Sequence, residues 1–217
     1  MNSRLAEIFG DDTLRDRIRS KLPRLFTIAE LESSRAGKIG MEVGSAREKI
    51  LIALLIYKFG EENLETEIPI TEPEVDVRLF GEPISIKTIT GVSGAKVIWT
   101  VDAQKALEFF KAYIPNCEML LCQIKWDMKE TDINRGIHPG GLFWIPVETQ
   151  RKILHKCGKE RYLKLPKVGT NPRGVEISRA ALQMILQDEN TRCIEVVWRH
   201  TPMEYDPYKR WVDYWKE

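Results

Sequence analysis

Residues 74–79 and 84–90 alternate apolar and polar side chains around Phe80-Gly81-Glu82-Pro83, and period-2 alternation on both sides of a turn commits this segment to a β-hairpin. Val75, Val77 and Leu79 share one face with Ile84 and Ile86, while Asp76, Arg78, Ser85 and Lys87 share the other. With the turn centred between Gly81 and Glu82, Asp76 stands directly opposite Lys87, and Arg78 opposite Ser85. The expectation is one face packed on a core and one polar face. An isolated hairpin is marginal in water, so the rest of the chain must supply further strands and a cover.

It has the means to do so. The 217 residues are 43% hydrophobic and 30% charged, without repeat or low-complexity segment, which fits a single domain over residues 1–217 and excludes disordered and fibrous classes. Residues 5–25 read as a helix with Leu14, Ile18 and Leu22 on one face, and residues 46–59 as a helix apolar nearly all round, hence central to the core. A loop over residues 33–44 joins them, punctuated by Gly37, Gly40 and Gly44. Beyond the hairpin, strands at 96–101, 119–126, 142–146 and 193–198 alternate with helices at 103–113, 148–157 and 179–187, the last capped by Ser178. This order predicts an α/β fold with a mixed sheet flanked by helices.

The formal net charge of +1 is uninformative, but its distribution is not. Residues 150–180 hold nine Lys/Arg and two Glu, whereas residues 61–82 hold eight acids and one base, Arg78. One surface suits a polyanion and another concentrates the carboxylates that a metal would need. Cys117, Cys122, Cys157 and Cys193 lack C-x-x-C spacing and read as reduced core residues. The longest apolar run, residues 50–57, is far short of a membrane span, and with no signal peptide the expectation is a cytoplasmic protein. No P-loop, dinucleotide fingerprint or G-x-S-x-G motif is present, so no nucleotide cofactor is expected.

A carboxylate beside an ammonium on adjacent strands is a minimal arrangement for phosphodiester hydrolysis. Asp76 can hold a hard divalent cation, and Lys87 can position a water and shield developing negative charge. The plain alternative is a surface cross-strand ion pair worth about 0 to 1 kcal/mol.

Asp76, ten residues and Lys87, with Glu48 on an upstream helix, resemble the PD-(D/E)xK nuclease superfamily and within it most closely the ThaI-type restriction endonucleases. The chain departs from the superfamily pattern in Pro73-Glu74-Val75-Asp76, which lacks a literal Pro-Asp, and in Ser85-Ile86-Lys87, where a serine replaces the second acid. The resemblance implies a restriction-endonuclease-like core with Glu48, Asp76 and Lys87 catalytic and Mg²⁺, or Mn²⁺ in its place, on Asp76, Glu48 and the Ile86 backbone carbonyl. It also implies a type II enzyme, a homodimer that cuts double-stranded DNA at a short G·C-rich palindrome, CGCG with blunt ends for a close match. Glu48 equally completes a capping box, Ser45-Ala46-Arg47-Glu48, and both readings stay open. Asp127-Met128-Lys129 matches the literal motif but lacks an upstream hairpin aspartate, and is read as a solvated strand end.

For DNA contacts, the loop over residues 164–174 offers Lys164, Lys167, Asn171 and Arg173 to phosphates and base edges. Arg35 and Lys38 flank a glycine-spaced segment whose Met41 has the unbranched shape of a wedge between base steps. The superfamily resemblance adds Ser93 and Lys96 near the scissile phosphate. Two further readings remain: a structure-specific repair or junction-resolving nuclease of the same superfamily, and a non-catalytic DNA-binding protein whose hairpin charges are structural.

Overall fold

A computed structural model of the chain describes residues 4–35, 38–39, 42–69, 72, 74–166 and 174–216, with the backbone alone at residues 35, 38, 39 and 210. The chain opens with α1 (Leu5–Gly10) and α2 (Asp12–Glu32). Asp11 separates them, its carboxylate accepting the Leu14 N–H at 2.9 Å as the cap of α2. The single helix expected over residues 5–25 is thus two, and α2 continues past Pro23, whose missing N–H removes one helical bond without ending the helix. Next come β1 (Ser34–Arg35), β2 (Lys38–Ile39) and α3 (Val43–Phe59). After a 3-10 turn at Glu61–Asn63 follow β3 (Leu64–Glu65), β4 (Val77–Leu79), β5 (Glu82–Thr90), β6 (Ala95–Ile98), α4 (Ala103–Ala112), β7 (Glu118–Ile124), α5 (Glu130–Asn134) and β8 (Gly141–Ile145). The chain finishes with α6 (Val147–Cys157), α7 (Lys159–Tyr162), β9 (Leu163–Lys164), β10 (Val175–Ile177), α8 (Arg179–Leu186), β11 (Arg192–Glu195) and α9 (Lys209–Lys216).

Six strands form the main sheet in the order β11-β8-β7-β5-β4-β3, with β5 and β7 parallel and the other neighbours antiparallel. A second, three-stranded antiparallel sheet runs β6-β10-β9. Successive residues of β7 serve opposite layers. Leu120 and Cys122 pack with α1, α2 and α3, whereas Met119 and Leu121 pack with α4, α6, α8 and the small sheet. Both faces of the main sheet are therefore buried, and the expected polar face survives only at one margin, where Asp76 and Lys87 lie. The near-continuous apolar run of β7 is the mark of a strand covered on both sides.

The hairpin register differs from the expected one. Leu79 pairs with Glu82 and Val77 with Ile84, so the turn is the two residues Phe80 and Gly81, both with positive φ (51° and 82°). That is the turn geometry whose twist suits a two-residue hairpin; it is masked in the sequence because phenylalanine, rather than Asn or Asp, precedes the glycine. Phe80 is held there by edge contact with Phe59, centroids 6.0 Å apart, and by the Arg4 guanidinium 4.9 Å from its ring centre. The register moves by two residues, which preserves the division into faces. Asp76 consequently sits diagonal to Lys87 rather than opposite it, just before the first residue of β4.

Candidate active site

Because β4 begins at Val77 while β5 runs on to Thr90, the second half of β5 extends beyond its hairpin partner. Asp76 closes the start of that margin. Its backbone N–H donates to the Ile84 carbonyl at 3.0 Å, and its Oδ2 accepts from Ile86 N–H at 2.6 Å, Lys87 Nζ at 2.6 Å and Ser85 Oγ at 3.3 Å. All three bonds converge on Oδ2. A residue in a strand directs its N–H and C=O to the same edge, so the Ile86 carbonyl lies on the margin where its N–H meets Asp76. The Lys87 side chain is 12% exposed and that of Asp76 31%, so this ion pair is partly desolvated rather than free in solvent.

Glu48 reaches the same place from α3. The helix begins at Val43 with Glu42 as an N-cap whose side chain makes no cap bond, so Ser45 and Glu48 lie within the helix and the capping box does not form. The N-terminal extension through Gly44 removes that alternative and leaves Glu48 facing Asp76 and Lys87. Burial pushes the Glu48 carboxyl up to about 7, against the pull of Lys87 and with the push of Asp76. A buried carboxylate with that elevation is one that an added cation would return to its charged form.

The cleft has a volume of ≈ 470 Å³ and gathers Glu48, Asp76 and Lys87 with Ser93, Lys96 and Trp99. Five residues expected to serve the site thus come together. Lys96 Nζ lies 3.5 Å from the centre of the Trp99 ring, and Trp99 is 66% exposed. Trp99 and the cleft-lining Glu176 were not expected from the sequence; the only signal was a tryptophan three residues after Lys96. Lys164 is paired with Glu176 at 2.9 Å, at the edge of the small sheet. Gly174, with φ +100°, leads out of the basic loop so close to Ile98 and Trp99 that a Cβ there would meet the Ile98 carbonyl at 1.7 Å. Met41, Lys167, Asn171 and Arg173 lie outside the described residues, as do the side chains of Arg35 and Lys38.

Among the described residues no group of three or more His, Cys, Asp or Glu side chains is placed to hold a metal ion. Two carboxylates and a carbonyl still suit a hard divalent cation that keeps water and substrate oxygens as its remaining ligands. Asp127 is engaged elsewhere, accepting from His200 Nδ1 at 2.6 Å, and is absent from the cleft lining.

Behind the cleft lies a second polar cluster. Arg47, next to Glu48, is buried and bonds Glu30, and its other terminal nitrogen donates to Thr90 Oγ1 at 3.1 Å. Glu30 also accepts from Trp126 Nε1 at 2.6 Å and meets His200 Nε2 at 3.1 Å. The cluster ties α2, α3, the end of β5 and the chain beyond β11 together.

A mixed sheet whose hairpin presents an aspartate and a lysine at its margin, with a glutamate from the adjoining helix, defines a restriction-endonuclease-like nuclease. The model of the family described as "Restriction endonuclease ThaI" matches residues 8–217. A solved structure described as "Restriction endonuclease in complex with substrate DNA" is 51% identical, with a TM-score of 0.86 and 99% of each chain covered. This chain belongs to the ThaI restriction endonuclease family and is a site-specific deoxyribonuclease. A comparison with curated proteins gives no match.

Proposed function

We propose that the chain is a Mg²⁺-dependent type II restriction endonuclease that binds double-stranded DNA as a homodimer and cuts a short G·C-rich palindrome, CGCG with blunt ends, in the cytoplasm. Among the described residues, no helix is long and apolar enough to cross a membrane. The observation that carries the reading is the convergence of Ile86 N–H and Lys87 Nζ on Asp76 Oδ2, with Glu48 facing them across one cleft.

Asp76, Glu48 and the Ile86 carbonyl would hold a divalent cation, Mg²⁺ or Mn²⁺, which when bound supplies positive charge to the phosphate and acidifies a bound water. The bond from Ile86 N–H fixes the Asp76 carboxylate, so its orientation does not depend on substrate. Lys87, beside Asp76, offers its side-chain nitrogen to the attacking water and to the negative charge that develops on the phosphate. Glu48, across the cleft from Lys87, takes up the proton released as that water attacks. Ser93 and Lys96 contact backbone phosphates near the cut. Lys164, Lys167, Asn171 and Arg173 contact DNA from the basic loop, and Arg35, Lys38 and Met41 from the glycine-spaced segment.

Supercoiled plasmid incubated with the protein and Mg²⁺ tests this reading. Discrete fragments ending at CGCG are expected. Smearing or cuts confined to branched DNA would indicate a repair or junction nuclease, and intact plasmid with a shifted band would indicate binding alone.

A further inference from the structure

The chain carries two uncovered apolar surfaces that match one another. The first is α9. Tyr208, Trp211, Val212 and Trp215 fall at i, i+3, i+4 and i+7, one stripe of a helix, and are 71%, 52%, 46% and 91% exposed. Off the stripe, Tyr214 meets the Trp211 ring, and Asp213 is bonded by Lys209 at 2.7 Å and faces Lys216 at 3.7 Å. An eight-residue helix with its apolar side in water has little reason to persist, since helices this short are marginal without packing.

The second surface is a groove of ≈ 270 Å³ between α2 and α3, lined by Ile18, Leu22, Leu25, Ala53, Leu54 and Tyr57. Tyr57 is 61% exposed, and the Arg17 guanidinium stands 5.1 Å from its ring centre. Arg17 and Lys21 also line this groove, and the segment that enters α9 carries Glu204 and Asp206.

We infer that the apolar stripe of α9 docks in the α2–α3 groove of a second copy of this chain, two such arms closing a symmetric pair. The inference deepens the homodimer reading and rests on it. In one copy arm and groove both remain uncovered, although the arm leaves the body beside α2, where Thr201 N–H meets Thr27 Oγ1 at 3.4 Å. Covering the stripe removes roughly 400 Å² per arm from water, given 150–250 Å² for a buried aromatic side chain. Two arms together withdraw roughly 800 Å², to which Leu25 and Tyr57, 38% and 61% exposed, add the groove's side. The reciprocal contact is closed, as soluble homodimers require.

Light scattering on the full chain without DNA or metal tests the pairing independently of cleavage. The expected mass is twice that of the 25.1 kDa chain. Val212→Asp with Trp215→Ala, and separately Ala53→Trp, should each return the single-chain mass while far-ultraviolet spectrum and melting of the body stay unchanged. Copies bearing Trp215→Cys and differently tagged copies bearing Ala53→Cys should form a disulfide between them. A wild type of single-chain mass, a pair that survives both sets of substitutions, or a disulfide formed only within a chain carrying both cysteines would overturn the inference.

Discussion

At the scale of single residues, Asp76 and Lys87 were legible because period-2 alternation assigns side chains to faces whatever the register, and a two-residue slip leaves those faces intact. Glu48 was legible only as one of two roles. Its neighbours in sequence satisfy a capping box, and what decides between the roles is where α3 starts, two residues before Ser45 rather than at it. Trp99 escaped because a tryptophan near a strand end is ordinarily a core residue, whereas here it stands at the cleft mouth. Since Glu48 makes no cap bond, Glu48→Gln should leave the melting temperature nearly unchanged. It should lower the single-turnover cleavage rate at least about a hundredfold, as loss of a general base typically does. A destabilised but active variant would return Glu48 to a structural role.

At the scale of elements, the hairpin's existence and faces were readable and its turn was not, because the sequence signal for a two-residue turn is Asn-Gly or Asp-Gly and this chain uses Phe80-Gly81. A Cβ at Gly81 would meet nothing within 4 Å, so Gly81→Ala isolates the backbone conformation. Urea denaturation should show a loss of about 1 to 2 kcal/mol, the cost of a left-handed non-glycine residue. An unchanged midpoint would mean that the turn relaxes to another type. Behind the cleft, the Glu30–Arg47 pair joins the helix bearing Glu48 to α2 and β5, with both side chains 7% exposed. No local pattern marks such a pair, since its partners are 17 residues apart on different helices. Arg47→Met leaves the buried Glu30 without its guanidinium partner and should cost about 3 to 5 kcal/mol, much of it regained in the double variant with Glu30→Gln. Equal losses in the single and double variants would show that the two residues act separately. His200 belongs to the same cluster and donates from both ring nitrogens only when protonated. Burial alone would lower its pKa, but its bonds to Asp127 and Glu30 outweigh that and raise it above 6.5. Its stabilising contribution is therefore complete below 6.5 and fades as pH rises through the folded value. The melting difference between wild type and His200→Gln should be largest at acidic pH and shrink toward pH 9; a difference that grows with pH would contradict the assignment.

At the scale of the whole molecule, the order of strands and helices announced an α/β fold with a mixed sheet flanked by helices, but not the second, three-stranded sheet that helps to cover it. Long-range pairing set that outcome: β6 joins β10 and β9 instead of extending the hairpin, and so forms the wall of the cleft that carries Lys96 and Trp99. Asp76 organises that cleft. The most direct test of that role is plasmid cleavage by Asp76→Ala under saturating Mg²⁺, with DNA binding followed separately without metal. The variant should fold, bind and leave the plasmid intact. Cutting at close to the wild-type rate would place the reaction elsewhere in the molecule.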